Sequence, residues 1–321
     1  MSITVAACTQ ALMKETEKIF VGKKDKVELI LMAIFSGGHV LLDDLPGSGK
    51  TTLIKTLSLA LGCDFERIQF TPDLLPADIT GMTIFDQKAT DFRLVKGPVF
   101  TNILLADEIN RAIPRTQAAL LEAMEEKQVT IDGNTLGLPK PFFVMATQNP
   151  VEMESTFALP VAQMDRFFIR LSLEYPDLTE EMEILDTLGM GTDFSQVQAV
   201  ASPEVLLGLR AELEAVHVSE ALREYIVKLV HATRNHPDIK IGGSPRASRS
   251  LYQGAKSYAA MCGRSYAIPE DVQHIFTAIL SHRVQLKNEA RYGKKSVEDV
   301  LNQILTETSV EATNEELFHG K

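Results

Sequence analysis

The chain has 321 residues, 45% of them hydrophobic and 23% charged, which excludes a disordered or fibrous protein and gives enough length for two domains. There are 43 acidic against 32 basic residues, and the surplus of 11 negative charges disfavours a mainly electrostatic hold on nucleic acid. Cys8, Cys63 and Cys262 stand far apart, so neither a zinc site nor a disulfide framework is indicated, and buried free thiols are expected.

The chain opens on MSITVAACTQ, which has no basic start before a long apolar stretch and so does not resemble a secretory signal. A cytoplasmic location is the expectation. Helical spacing of apolar residues follows over Thr9 to Phe20 and Val27 to Phe35. The second run is the most apolar in the chain, yet far shorter than the roughly 20 residues that cross a membrane. His39 to Leu42 reads as a strand, Asp44 to Thr51 as a glycine-bearing turn, and Thr51 to Leu61 as a helix stopped by Gly62. Further strands are predicted at Phe65 to Phe70, Asn102 to Ala106, Phe142 to Ala146 and Phe168 to Leu173. Near-continuous apolar strands alternating with helices imply an α/β fold with a mostly parallel, five-stranded sheet between helices. Thr71 to Pro98 and Gln128 to Lys140 interrupt the pattern, the latter as a hairpin turning at Asp132-Gly133-Asn134. After Tyr175 and Pro176 only amphipathic helices are predicted, with N-caps at Ser202, Ser219 and Ser244. The expected division is therefore residues 1–175, α/β with inserts near 71–98 and 128–140, and residues 176–321, all-α.

The turn Asp44-Leu45-Pro46-Gly47-Ser48-Gly49-Lys50-Thr51 sits between strand and helix, the context in which such a loop cradles phosphate. Backbone amides bared by small residues from Leu45 to Gly49, with Thr51 and Thr52 opening the helix, form the pocket. Lys50 reaches the outer phosphates and the Thr51 hydroxyl takes a place on Mg2+. Asp44 departs from the usual leading glycine and is expected to point away from the phosphates. The apolar strand Asn102 to Ala106 ends in Asp107 and Glu108, facing the crevice where parallel sheets bind ligands. Asp107 suits the metal, directly or through water, and Glu108 suits activation of an attacking water. Asn149, ending the next strand, either positions water beside that pair or caps the turn before Pro150.

These residues resemble an AAA+ ATPase, specifically the MoxR group, over nearly the whole chain. The resemblance rests on the phosphate loop, on ILLADEINRA with TQAALLEAMEE, on DLLPADITG with KGPVF, and on ATQNP, LPVAQMDRF and SPRAS. It implies a P-loop AAA+ domain followed by a helical lid. It also implies that Asn149 is the first sensor, that Arg166 is an arginine finger acting in trans, and that Arg246 contacts phosphates from the lid. Arg166 pairing with Asp165 or another acid, and Arg246 as a surface residue, are the plain alternatives. Val161 and Ser155 depart from the family pattern around the finger, and Arg111 and Arg115 also stand where an interface contact is possible.

The function implied is a magnesium-dependent ATP hydrolase. It would assemble into a ring, a hexamer by resemblance, and remodel, activate or load a cofactor or metal into a protein partner, plausibly one with a von Willebrand factor A domain. Two other readings remain: a DNA-acting ring motor or loader, and a nucleotide-gated scaffold with little hydrolysis. No aromatic and basic interleaving marks either insert as a nucleic-acid binder.

Overall fold

Two helices, α1 (Val5–Glu17) and α2 (Lys24–Phe35), lead into strand β1 (Val40–Asp43) in a computed structural model that describes residues 3–43, 47–88, 90–149, 157–188 and 193–310. After the loop come α3 (Lys50–Ala60) and β2 (Phe65–Gln69), then an insert of α4 (Pro76–Thr80) and the antiparallel hairpin β3 (Gly81–Asp86) and β4 (Asp91–Lys96). Strand β5 (Ile103–Asp107) continues through a 3-10 turn into α5 (Pro114–Glu126), the hairpin β6 (Gln128–Ile131) and β7 (Asn134–Gly137), and β8 (Phe143–Gln148). The short α6 (Val161–Met164) and β9 (Ile169–Leu171) complete the sheet.

The five-stranded sheet has the order β2-β5-β8-β1-β9, every neighbouring pair parallel. Alternation along each strand creates two cores. Val40, Leu42, Ile103, Leu105, Phe143 and Met145 face one, Leu41, Leu104, Ala106, Val144 and Ala146 the other. Helices cover both faces, which is why these strands carry apolar residues almost without interruption.

The remaining chain forms α7 (Leu178–Leu188), α8 (Pro203–Ala215), α9 (Glu220–Asn235), α10 (Pro245–Met261), α11 (Pro269–Leu280), α12 (Asn288–Tyr292) and α13 (Val297–Glu307). The expected caps form: Ser202, Ser219 and Ser244 accept from the amides of Val205, Leu222 and Arg246. One feature was not expected. A short antiparallel pair, β10 (Ile239–Ile241) with β11 (Gln285–Leu286), ties the α9–α10 connection to the chain after α11. These segments are too short to show a strand period against their helical surroundings. The cysteine expectation is also corrected, since Cys8 is buried but Cys63 is half-buried and Cys262 exposed.

His39, just before β1, anchors the lower edge of the sheet. The Val144 amide donates to its Nδ1 at 3.0 Å, so Nε2 carries the proton and donates to the Met124 carbonyl at 3.2 Å. Burial, the largest influence, pushes the His39 pKa down to about 4, and the ring is neutral. No helix among the described residues is long and apolar enough to cross a membrane.

Candidate active site at the upper edge of the sheet

Gly47 (φ +88°) and Gly49 (φ +82°) take left-handed conformations that a side chain would strain, and the loop turns through them into α3. Gly49 is the N-cap of α3 and offers no side-chain cap, so the first amides of that helix are left for an incoming anion. The Ser48 hydroxyl is buried without a hydrogen-bond partner, an orphan that a phosphate oxygen would satisfy. Asp44, Leu45 and Pro46 lie outside the described residues.

A cavity of about 420 Å³ is lined by Gly47, Gly49, Lys50, Thr51, Thr52, Arg67, Gln69, Asp107 and Glu108. Lys50 Nζ stands 3.3 Å from Asp107 Oδ1. The phosphate loop and the acidic pair thus meet, as the sequence implies, at the C-terminal ends of β1 and β5.

Asp107 is held from three sides. Thr147 Oγ1 donates to Oδ1 at 2.6 Å, Arg67 Nη2 donates to Oδ2 at 2.7 Å, and Lys50 adds charge. Burial is the largest single influence and raises its pKa, but these partners together outweigh it, so the carboxyl sits below its ordinary range. An ionised, oriented carboxylate lining the same cavity as Thr51 fits a magnesium ion. Among the described residues no cluster of three or more His, Cys, Asp or Glu could hold a metal ion alone, so phosphate oxygens and water would complete its shell.

Glu108 has φ +56°, an uncommon conformation for a residue with a side chain. Its amide donates to Thr147 Oγ1 at 2.8 Å, so one fully buried hydroxyl fixes both acids. The Glu108 carboxylate accepts from Gln69 Nε2 at 2.6 Å and from Arg111 Nη1 at 2.9 Å. Asn149 is buried beyond the end of β8, and its carbonyl accepts from Asn110 Nδ2 at 3.4 Å.

Arg67 and Gln69 belong to no motif named above, and Thr147 lies in ATQNP without itself being singled out. Their signal was register: β2 pairs with β5 so that Gln69 lies opposite Asp107, and a period of two brings Arg67 to the same face.

The two remaining arginines lie elsewhere. Arg166 precedes β9, at the N-terminal edge of the sheet, while the phosphate loop follows the C-terminal end of β1. Four residues of β1 separate those edges by about 13 Å at roughly 3.3 Å per residue. Arg166 Nε pairs with Glu125 Oε2 at 3.0 Å, and Arg246 Nη2 with Glu125 Oε1 at 2.5 Å. Arg246 therefore joins Arg166 on Glu125 and is not among the residues that line the cavity. Asp165 is occupied by Arg283, which removes it as the partner of Arg166. Arg111 is on Glu108, and Arg115 is exposed in the first turn of α5. Val161 opens α6, whereas Pro150 and Ser155 lie outside the described residues.

The chain is similar to known proteins over most of its length. Residues 39–169 match the family described as "ATPase family associated with various cellular activities (AAA)", and residues 231–304 match the AAA lid domain. The chain is 42% identical to "Chaperone MoxR1" of Mycobacterium tuberculosis, over 94% of this chain and 81% of that one. It is 44% identical to "Uncharacterized protein YeaC" of Bacillus subtilis, over 93% of each. A Cytophaga hutchinsonii protein whose crystal structure is described as that of a candidate ATPase superposes with a TM-score of 0.90 at 40% identity, covering 96% of both chains.

Proposed function

Because the chain belongs to the MoxR family of AAA+ ATPases, we propose that it binds Mg-ATP at the upper edge of its sheet and hydrolyses it only within an oligomeric ring. The observation that carries this reading is the division of the polar machinery between two edges. Lys50, Thr51, Asp107 and Glu108 line one cavity, and Arg166 and Arg246 share Glu125 at the opposite edge. Arginines there can neutralise leaving phosphate only in a neighbouring copy. Thr51 and Asp107 would hold magnesium, which supplies charge neutralisation on the phosphates. Glu108 takes a proton from the attacking water, and Asn149 orients that water.

The work done by hydrolysis is assigned to a protein partner, remodelled or loaded in a chaperone-like manner, with von Willebrand factor A domains the class the family resemblance implies. The β3–β4 hairpin supports a protein client over nucleic acid. It exposes Phe92 (70%), Phe85 (51%) and Met82 (42%), an apolar surface on which Lys88, Arg93 and Lys96 are largely offset by Asp86 and Asp91. Residues 1–175 and 176–321 are taken as the two parts whose relative movement transmits the stroke.

One observation favours a slower, scaffold-like variant of the same reading. Glu108 is engaged by Gln69 and Arg111, so its carboxylate must be released before it can act on water. The test is turnover per subunit across protein concentration, with ATP affinity measured alongside. The ring reading expects turnover to rise steeply with concentration and Glu108→Gln to bind ATP without hydrolysing it. Full activity in a dilute monomer would refute it.

A further inference from the structure

The segment that carries Arg166 is held by one buried cation. Arg283, only 3% exposed and three residues beyond α11, donates Nε to Asp165 Oδ1 at 2.7 Å. Its Nη1 donates to the carbonyls of Phe168 (3.1 Å) and Ile279 (2.5 Å). Its Nη2 donates to the carbonyls of Phe167 (2.7 Å) and Asp165 (3.4 Å) and to Ser250 Oγ on α10 (3.2 Å). Next to it, His282 Nε2 donates to the Phe167 carbonyl at 3.0 Å. The second oxygen of Asp165 accepts from Ser244 Oγ at 2.9 Å, and Ser244 is the N-cap of α10, two residues before Arg246.

Three pieces of chain are therefore fastened at one point: the Arg166 segment, the start of α10 and the end of α11. Burying a guanidinium is costly, and a core of apolar side chains would hold the same helices together as well or better. What an apolar core cannot do is fix a loop by its carbonyls in one orientation. A planar fork with five N–H donors does this, and every bond it makes here is to that loop or to the two helices beside it.

We infer that the Asp165–Arg283 pair is a positioning unit that sets Arg166 and Arg246 as one rigid pair, so that any displacement of α10 and α11 moves both arginines together. The inference rests on the trans-arginine reading above. Neither residue touches nucleotide. Their effect is on the geometry offered to the next subunit, where a misplacement of about 1 Å costs on the order of 100-fold in rate.

The experiment uses the full chain. Arg283→Met is expected to lower kcat by on the order of 100-fold while the KM for ATP stays within about a factor of two, because its own phosphate site is intact. Arg283→Lys keeps the charge and loses the fork, and an intermediate kcat is expected. A lysine variant with wild-type kcat would show that the fork orients nothing.

Co-assembly with Glu108→Gln subunits separates positioning from general damage. Such subunits cannot hydrolyse ATP but present sound arginines to a neighbour, so rings mixed from Glu108→Gln and Arg283→Met should regain activity well above either parent. Rings mixed from Glu108→Gln and Arg166→Ala are the reference. If the reference regains activity and the Arg283→Met mixture does not, Arg283 serves the fold of its own subunit and the inference fails. If the reference itself regains nothing, the trans-arginine reading fails.

Discussion

Thr147→Val is the sharpest probe of the candidate site, because it changes one buried atom that serves two carboxylates. The Thr147 hydroxyl is fully buried, donates to Asp107 at 2.6 Å and accepts from the Glu108 amide at 2.8 Å. Valine matches its shape and can do neither. Losing a hydrogen bond to a charged acceptor costs about 1.5–3 kcal/mol, and leaving a half-buried amide unpaired costs about 1 kcal/mol more. The expected loss is therefore about 3 kcal/mol, and at roughly 2–4 °C per kcal/mol for a large domain the melting temperature falls by on the order of 10 °C.

Acid adds a second readout. Asp107 has a folded pKa below its unfolded value, so its stabilisation is present above the unfolded pKa and is lost as pH falls through the folded one. Without Thr147 the raising effect of burial is opposed by Arg67 and Lys50 alone, and acid unfolding should begin at higher pH. Thermal unfolding from pH 7 to pH 3 and steady-state ATPase assays, with Thr147→Ser as the hydroxyl-retaining control, measure both effects. Thr147→Val and Thr147→Ser melting together at the wild-type temperature would refute the reasoning.

Three further outcomes are expected. His39 is neutral with a pKa pushed down to about 4, so the unfolded chain takes up its proton first and stability falls as pH drops from about 6.5 towards 4; His39→Gln should flatten that slope in denaturant titrations, and superimposable slopes would count against it. Gln69→Ala removes one of the donors on the Glu108 carboxylate and should raise kcat at unchanged ATP affinity, a fall in kcat being the contrary result. Phe85→Ser with Phe92→Ser strips the tip of the β3–β4 hairpin, where the rings meet edge to face at 5.3 Å; melting should be unaffected, while capture of a protein partner on a Glu108→Gln background is lost.

The readable part of this protein is the part whose chemistry is local. GSGKT and the strand ending in Asp107-Glu108 announce themselves because turn, helix start and charge are consecutive in the chain. The central strands β1, β5 and β8 are legible because burial on both faces makes each a nearly unbroken apolar run, whereas the edge strands β2 and β9 carry Glu66, Arg67, Gln69 and Arg170 among their apolar residues. The residues that hold the site in place come from distant positions. Arg67 lies 40 residues before its partner Asp107, Thr147 lies 40 after, and Arg283 lies 118 after Asp165. Strand register explains the first two, since the sheet order sets β5 between β2 and β8 and leaves each neighbour to contribute the polar residue that reaches its carboxylates. Nothing in the local pattern around Arg283 distinguishes it from a surface arginine following a helix.

The direction of the strands bears on what the motifs could not reach, namely which copy of the chain each arginine would serve in the proposed ring. A residue that follows a parallel strand lies at the upper edge and one that precedes a strand lies at the lower edge. Lys50 and Glu108 belong to the first class and Arg166 to the second. Glu125 reaches the lower edge through α5, whose last turn bonds through Met124 to His39 just before β1. Both arginines are therefore neutralised within the free chain by a carboxylate far from its own nucleotide cavity. In the proposed ring, assembly would exchange that partner for a neighbour's phosphates. Glu125 would then compete with the trans interaction, holding the pair in order without contributing to the reaction.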